Sequence, residues 1–267
     1  MPTPIYIYDA WGNLLAVLPP MAANEMCVTG KTWRESDDAV AKYAYLYAYD
    51  CRYRKNGSKL PGCDWVYTLY DNDDVPVFSQ DGEQRLRGEW SFTISDVWGR
   101  ACLEGTCRNK LTVGTTLGNV TATPDATSSH YGYAISGISL VSPCYHKVTF
   151  YDNYNFLTNQ SLGMGGLDCD LSQGQKFNTV MKARAMGRET GGLLAIDGDM
   201  GNAIKTARYY DYRGRCVQDL STNHLGGLDK TFIAYDFTDH CTSHLQVQHP
   251  QLGGEHGRRP VLGAPVL

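Results

Sequence analysis

Long apolar runs, a basic excess and closely paired cysteines are all missing from this chain, and each absence closes a class of function. No stretch approaches the roughly 20 apolar residues that cross a bilayer as a helix. The opening Met1-Pro-Thr-Pro-Ile-Tyr6 lacks the charged-then-apolar plan of a secretory signal. Neither a membrane span nor a targeting address is expected. The formal net charge is -4, so there is no basic stripe to release counterions from a nucleic-acid backbone. Nucleic acid is not an expected partner. Nine cysteines are scattered without a C-x-x-C pair, Cys102 and Cys107 coming closest, which excludes a zinc knuckle or thioredoxin-type site. They read as small buried residues, with bridges open only to an exported protein and at least one thiol left over. Neither a G-x-S-x-G elbow nor a phosphate-binding or dinucleotide loop is present. Gly163-Met-Gly-Gly166 does not lead from a clear strand into a helix.

Phenylalanine is scarce as well, 7 against 18 tyrosines, and 28 glycines accompany them in 267 residues. That balance favours half-buried strand faces joined by turns over a helix-rich interior. The first expectation is therefore an all-β fold. The phrase that organises it is Arg208-Tyr-Tyr-Asp-Tyr-Arg-Gly-Arg-Cys-Val-Gln218. Asp211 can accept backbone N–H bonds at the head of a turn, and Gly214, three residues on, tolerates the positive φ that closes a type I turn with a bulge.

The phrase recurs. Tyr8-Asp9, Tyr49-Asp50, Tyr70-Asp71, Tyr151-Asp152, Tyr210-Asp211 and Tyr235-Asp236 share it, and Ser95-Asp96-Val-Trp-Gly99-Arg100 keeps all but the tyrosine. In six of these seven copies the residue three after the Asp is Gly, Asn or Asp (Gly12, Asp74, Gly99, Asn155, Gly214, Asp239). Those types best tolerate a left-handed backbone. The copy at Asp50, which runs Cys-Arg-Tyr-Arg54, departs from the rule. Recurrence of one turn chemistry is the signature of a repeat architecture.

Between copies, Ser36 to Lys42 suits a short helix with a serine N-cap, while residues 21 to 35 look irregular. Asp81-Gly82 and Asp197-Gly198-Asp199 mark turns. Two intervals are long, 96 to 152 and 152 to 211. The first holds a Gly/Ser/Thr-rich insertion at about 105–142, expected to carry an extra hairpin or a loop, and the second a short helix at Phe177 to Ala185. Residues 1–245 form the repeat segment. From Gln246 alternation is lost, and 246–267 are expected to be a disordered tail.

These residues resemble the bacterial YD-repeat proteins, also called Rhs or wall-associated repeat proteins, in which a Tyr-Asp is followed by Gly-Arg. The resemblance runs from about Ile5 to Leu245. It is carried by Tyr6-x-Tyr-Asp9-x-x-Gly-Asn-Leu, Leu60-Pro-Gly-Cys63, Ser79-Gln-Asp-Gly82 and Tyr209-Tyr-Asp-Tyr-Arg-Gly-Arg215 with Ser221-Thr-Asn-His224. It implies a solenoid of β-hairpins, a long antiparallel sheet spiralling into part of a hollow shell with short connecting helices. The implied role is to enclose or display a C-terminal passenger, often a toxin, in the secreted or envelope fraction. The implied partners are flanking repeats and the passenger of the same longer polypeptide. The structural residues it marks are Tyr8, Asp9, Gly12, Tyr49, Asp50, Tyr70, Asp71, Asp96, Gly99, Arg100, Tyr151, Asp152, Tyr210, Asp211, Gly214, Arg215, Tyr235 and Asp236. No Asp-Pro-x-Gly core motif of the family is found, and the last residues resemble nothing in it, so a segment of a larger protein is expected.

Catalytic residues, metal ligands and cofactors are not expected. His240, His244 and His249 could place two imidazoles on one ion only from a helix, and the preceding Tyr-Asp turn argues for strand. Asp71-Asn-Asp73-Asp74 and Asp197-Gly-Asp199 lack the downstream bidentate Glu of a calcium loop. A second reading stays open, a surface module binding cell-surface glycans with the strand aromatics. A third, weaker one is an enzyme with two carboxylates roughly 5 to 9.5 Å apart in a cleft.

Overall fold

In the computed structural model of this chain, residues 3–29, 34–172, 177, 179–223 and 226–249 are described. Two compact units divide it. Met1–Ile94, Gly105–Thr121 and Ser136–Pro143 make the first, and Ser95–Glu104, Ala122–Ile135 and Cys144–Leu267 the second. Both are dominated by antiparallel strands, and β-structure in sequential hairpins is the architecture of each.

In the first unit the strands are β1 (Ile5–Tyr8), β2 (Leu14–Leu18), β3 (Tyr45–Tyr49), β4 (Lys55–Lys59), β5 (Val66–Tyr70), β6 (Pro76–Gln80) and β7 (Trp90–Ser95). They lie side by side in chain order, each antiparallel to the next. Three helices interrupt them: α1 (Pro20–Thr29), α2 (Asp38–Tyr43) and α3 (Gly82–Arg87). Ala16, Leu18 and Leu46 from the strands meet Ala22 of α1 and Val40 of α2 in a buried cluster, with Ile7, Tyr43 and Trp65 against it. Small alanines let the helices approach the sheet closely, and the apolar area removed from water holds them there.

The second unit contains β8 (Ala101–Cys107), a two-stranded ribbon of β9 (Thr121–Pro124) and β10 (Tyr133–Ser136), then β11 (Cys144–Tyr151), β12 (Glu189–Ile196), β13 (Asp199–Tyr210), β14 (Cys216–Thr222), β15 (Leu228–Tyr235) and β16 (Cys241–His249). Their order is β8-β11-β12-β13-β14-β15-β16, again sequential apart from the ribbon. Leu103, Val148, Leu193, Ala207, Val217, Leu220 and Phe232 are buried along these strands. Over them lies the segment between β11 and β12, with short 3-10 turns at Asn155–Leu157, Gln160–Leu162, Gly165–Leu167 and Lys182–Arg184. Gly191 is bare because a Cβ there would come within 2.5 Å of the Thr206 carbonyl and 2.7 Å of the Phe156 ring.

Several local expectations need correcting. The stretch after Pro19-Pro20 is not irregular: Pro20 opens α1, where a missing N–H and a fixed φ suit the first turn. Asp81-Gly82 is no simple turn. Asp81 and Gln84 form a reciprocal capping box for α3, and Gly88 ends it with φ 67°. Asp37, not Ser36, precedes α2, and it makes no side-chain cap. In the Phe177 to Ala185 stretch the described helix is the single turn at Lys182–Arg184. Alternation does not stop at Gln246. β16 pairs Gln246 with Thr231 and continues to His249 opposite Leu228, because β15 offers a full edge to pair with. Residues 250–267 lie outside the described residues, as does His224.

Candidate functional site

Six of the seven phrases build the same corner, and the chemistry starts at the aspartate. Asp9 donates its N–H to the Asn13 carbonyl at 2.9 Å and accepts the Gly12 N–H at its own carbonyl. Its Oδ1 takes the N–H groups of Trp11 and Asn13, and its Oδ2 the Asn13 amide. Asp50, Asp71, Asp96, Asp211 and Asp236 repeat the backbone pair, and each Oδ1 collects the N–H groups two and four residues on. The residue three after the Asp takes the left-handed corner: Gly12 (φ 89°), Gly99 (78°) and Gly214 (77°), but also Asp74 (62°) and Asp239 (69°). The pairing register slips at the tyrosine, as between Ala48 and Tyr49 or Tyr209 and Tyr210. This is a type I turn closed by a bulge.

Two copies differ from expectation. At Asp50 the corner is kept by Tyr53 (φ 62°), so the departure is in residue type and not in backbone. At Asp152 the aspartate itself has φ 71°, and Asn155 belongs to a 3-10 turn. The hairpin is closed from a distance: the Asp152 N–H donates to the Arg188 carbonyl at 3.0 Å, and its Oδ1 takes the N–H of Gly187 (φ 78°). The Gly-Arg half of the phrase is displaced behind the inserted segment.

Tyrosine and arginine then join one corner to the next. Tyr49 donates its hydroxyl to the Leu14 carbonyl, Tyr70 to Lys55, Tyr151 to Ala101, Tyr235 to Cys216 and Tyr210 to Glu189. In every case the acceptor is the strand residue just after the preceding turn. In the opposite direction the arginine that closes a turn lies over the next tyrosine: Arg54 on Tyr70 (4.7 Å), Arg100 on Tyr151 (4.4 Å), Arg188 on Tyr210 (5.5 Å) and Arg215 on Tyr235 (4.9 Å). Each such contact adds about 0.5–1 kcal/mol at an exposed site and more when desolvated. Tyr8, at the end of β1, has no preceding corner among the described residues and is exposed.

The same arginines clamp the next turn by charge. Arg100 grips both Asp152 oxygens (2.9 and 2.6 Å) while its Nε holds Asp96. Its guanidinium keeps the Asp152 carboxyl below the usual range. Arg52 and Arg54 converge on Asp74, and Arg213 and Arg215 on Asp239. This accounts for an aspartate where glycine is the easier residue. A left-handed L-residue is disfavoured by about 1–2 kcal/mol, and two cations offset it. Arg52, Arg54, Arg188 and Arg213 escape a reading centred on Tyr-Asp. The signal was an Arg-x-Arg in one copy followed by an Asp corner in the next, and Gly187-Arg188 standing without its own Tyr-Asp.

Elsewhere in the second unit, Tyr133, Phe150, Phe156, Tyr154 and Tyr209 form a column of rings. Successive centroids are 5.8, 4.6, 6.2 and 4.7 Å apart. A cavity of about 130 Å³ opens beside Tyr133, Phe150 and Phe156, with Asp125, Asn153 and Asn155 among its polar walls. Burial pushes the thiols of Cys102 and Cys216 up to about 11, so they are poor nucleophiles at neutral pH. Cys51, Cys63, Cys102, Cys107, Cys144, Cys169, Cys216 and Cys241 are unbridged. Among the described residues no group of three His, Cys, Asp or Glu could hold a metal ion, and no helix is long and apolar enough to cross a membrane. His244 lies in β16, with His240 in the turn before it.

No protein-family model and no curated protein matches this chain. Among solved structures it is similar to the crystal structure of TcdB2-TccC3, at 10% identity and a TM-score of 0.43, over 95% of this chain and 11% of that one. It is also similar to TcdB2-TccC3 without its hypervariable C-terminal region, at 12% identity and a TM-score of 0.43, over 91% of this chain and 10% of that one. A third is the Photorhabdus luminescens Tc holotoxin pore, at 11% identity and a TM-score of 0.32, over 91% of this chain and 14% of that one. The chain spans about a tenth of the length of the first of these proteins.

Proposed function

We propose that this chain is a non-enzymatic wall segment of a secreted or cell-surface YD-repeat protein, which encloses or displays a C-terminal passenger of the same polypeptide. The observation that carries the reading is the joint just described. The conspicuous carboxylates of the repeat are committed to backbone N–H groups and arginines, and the repeat arginines are committed to the following tyrosines and turns. Groups engaged in this way act as braces between neighbouring strands. Hairpins that couple only to their neighbours suit a solenoid, whose stability builds from successive interfaces.

The glycan module built on strand aromatics finds little support in the geometry. Five of its tyrosines (49, 70, 151, 210, 235) have their hydroxyls bonded to backbone, and four of those rings (70, 151, 210, 235) have an arginine over one face. The test is electron cryomicroscopy of the polypeptide that contains this sequence. The wall reading expects β1 and β16 to continue into further hairpins, with an arginine of the preceding corner over Tyr8 and the passenger on one side of the sheet. A free-standing domain with both edge strands bare overturns it.

A further inference from the structure

We propose that the two outer strand edges are complementary halves of one joint, so that β16 of one copy of this chain pairs with β1 of a second copy, head to tail. β1 ends the strand order of the first unit and β16 that of the second, and no described strand lies beyond either. Neither edge carries the charged or proline residues that keep exposed edges apart. β1 reads Ile-Tyr-Ile-Tyr, with Ile5, Tyr6 and Tyr8 at 42%, 54% and 56% exposure. β16 holds no lysine, arginine, aspartate, glutamate or proline.

The internal joints define what such an edge accepts. Ala16, seven residues after Asp9, faces Leu46, four before Asp50. Gly57 and Tyr67, Phe78 and Phe92, and Gln218 and Phe232 stand at the same two distances from their own aspartates. The strands differ in sequence and the register does not. The same register places Ser243, seven after Asp236, opposite Ile5, four before Asp9.

Side chains complete the match. In the internal joints the carbonyl five residues after an aspartate, that of Leu14, Lys55 or Cys216, accepts the next tyrosine hydroxyl. Cys241 holds that place after Asp236, and Tyr8 is the tyrosine before Asp9, its hydroxyl without a partner among the described residues. One edge has the acceptor and the other the donor. His240 closes the Asp236 turn through its backbone, in the position from which Arg54 and Arg215 cover the next ring. An imidazole covers a ring without the fork of a guanidinium, so this joint is weaker than the internal ones. In the wall reading, hairpins of a longer polypeptide fill the same two edges by the same contacts. In the 267-residue chain a second copy fills them, and the behaviour of that chain alone is decided whatever the longer polypeptide shows.

The test is sedimentation of the full chain over a concentration series, with photo-cross-linking between copies. A joint this short should associate with Kd on the order of 0.1 mM. Tyr8→Phe should weaken it roughly threefold to tenfold, the loss of one hydrogen bond, and His240→Arg should tighten it about two- to fivefold. Residues two apart on a strand turn their N–H groups to the same side, so Ser243 faces outward with Cys241. Ser243→Pro should therefore block association while the chain melts as the parent does. Benzoylphenylalanine in place of the exposed Tyr6 should link to a copy labelled with nitrogen-15, at or beside Thr242, which keeps the question decidable if the proline variant fails to fold. A chain that stays monomeric to about ten times the expected Kd overturns the proposal. So does association that a folded Ser243→Pro variant leaves unchanged, or a link between copies that lands outside β16 and its turn.

Discussion

At the scale of single residues, the arginine four places after Asp50, Asp96 and Asp211 does two jobs with one planar group. Its Nε closes its own turn, and its outer nitrogens reach the next. Arg100 is the fullest case, bonded to Asp96 and to both oxygens of Asp152 while lying over Tyr151. Arg100→Lys keeps the charge and loses the fork, so it should destabilise the second unit nearly as much as Arg100→Ala, by about 1–3 kcal/mol in urea unfolding. Full recovery by lysine would mean that charge alone matters. A second consequence concerns acid. Burial tends to raise the Asp170 carboxyl, but Lys230 and Ser172 outweigh it and hold it at about 2, and Asp152 is also depressed. A folded-state value below the unfolded one gives stability that is complete above about pH 4 and is lost as pH falls toward 2. Asp170→Asn should flatten the urea midpoint between pH 4 and pH 2. An unchanged slope would remove Asp170 from the account. At this scale the aspartates and corner glycines were legible because turn chemistry is local. The arginine partners were not, since a guanidinium reaches a residue some twenty positions away and leaves no mark beside itself.

Elements were legible where one turn decided them. Hairpins with a four-residue Asp-to-Arg turn announce both strands, whereas the β11–β12 hairpin, split by the inserted segment, hid its closing Gly187-Arg188 behind 34 residues (153 to 186). Helices α1 and α3 were obscured for a different reason. Pro19-Pro20 and Asp81-Gly82 are breakers in a strand, yet Pro at the first turn and Asp with Gln three later are helix starts. The inserted segment is seated by side chains. Gln218 bonds both the N–H and the carbonyl of Asp170, Lys230 pairs with its carboxylate, and Phe156 lies on the bare backbone of Gly191. Gly191→Ala should therefore cost about 1–3 kcal/mol, the range for overpacking a filled site. Phe156→Ala combined with it should restore part of the loss. Thermal melts of the two single variants and the double variant measure this, and additive losses would show that the ring and the glycine do not meet. The cavity between the ribbon and the inserted segment was beyond a sequence reading, because its walls come from stretches that carry no motif.

At the scale of the molecule, a row of hairpins coupled through tyrosine and arginine behaves differently from a single core. Stability in such a row is a sum of neighbour interfaces, so damage at one joint should spread and fade along the strands. Recurrence of the phrase made the antiparallel hairpins readable from the chain, while the contacts from one corner to the next needed coordinates. The most direct test is amide hydrogen exchange on the parent and on Arg54→Ala, which removes the grip on Asp74 and the cover over Tyr70. Exchange should quicken roughly tenfold in β3 to β6 and less in β1, β2 and β7. Equal acceleration in all of these strands, or none beyond the Asp50 turn, would contradict a wall held together joint by joint.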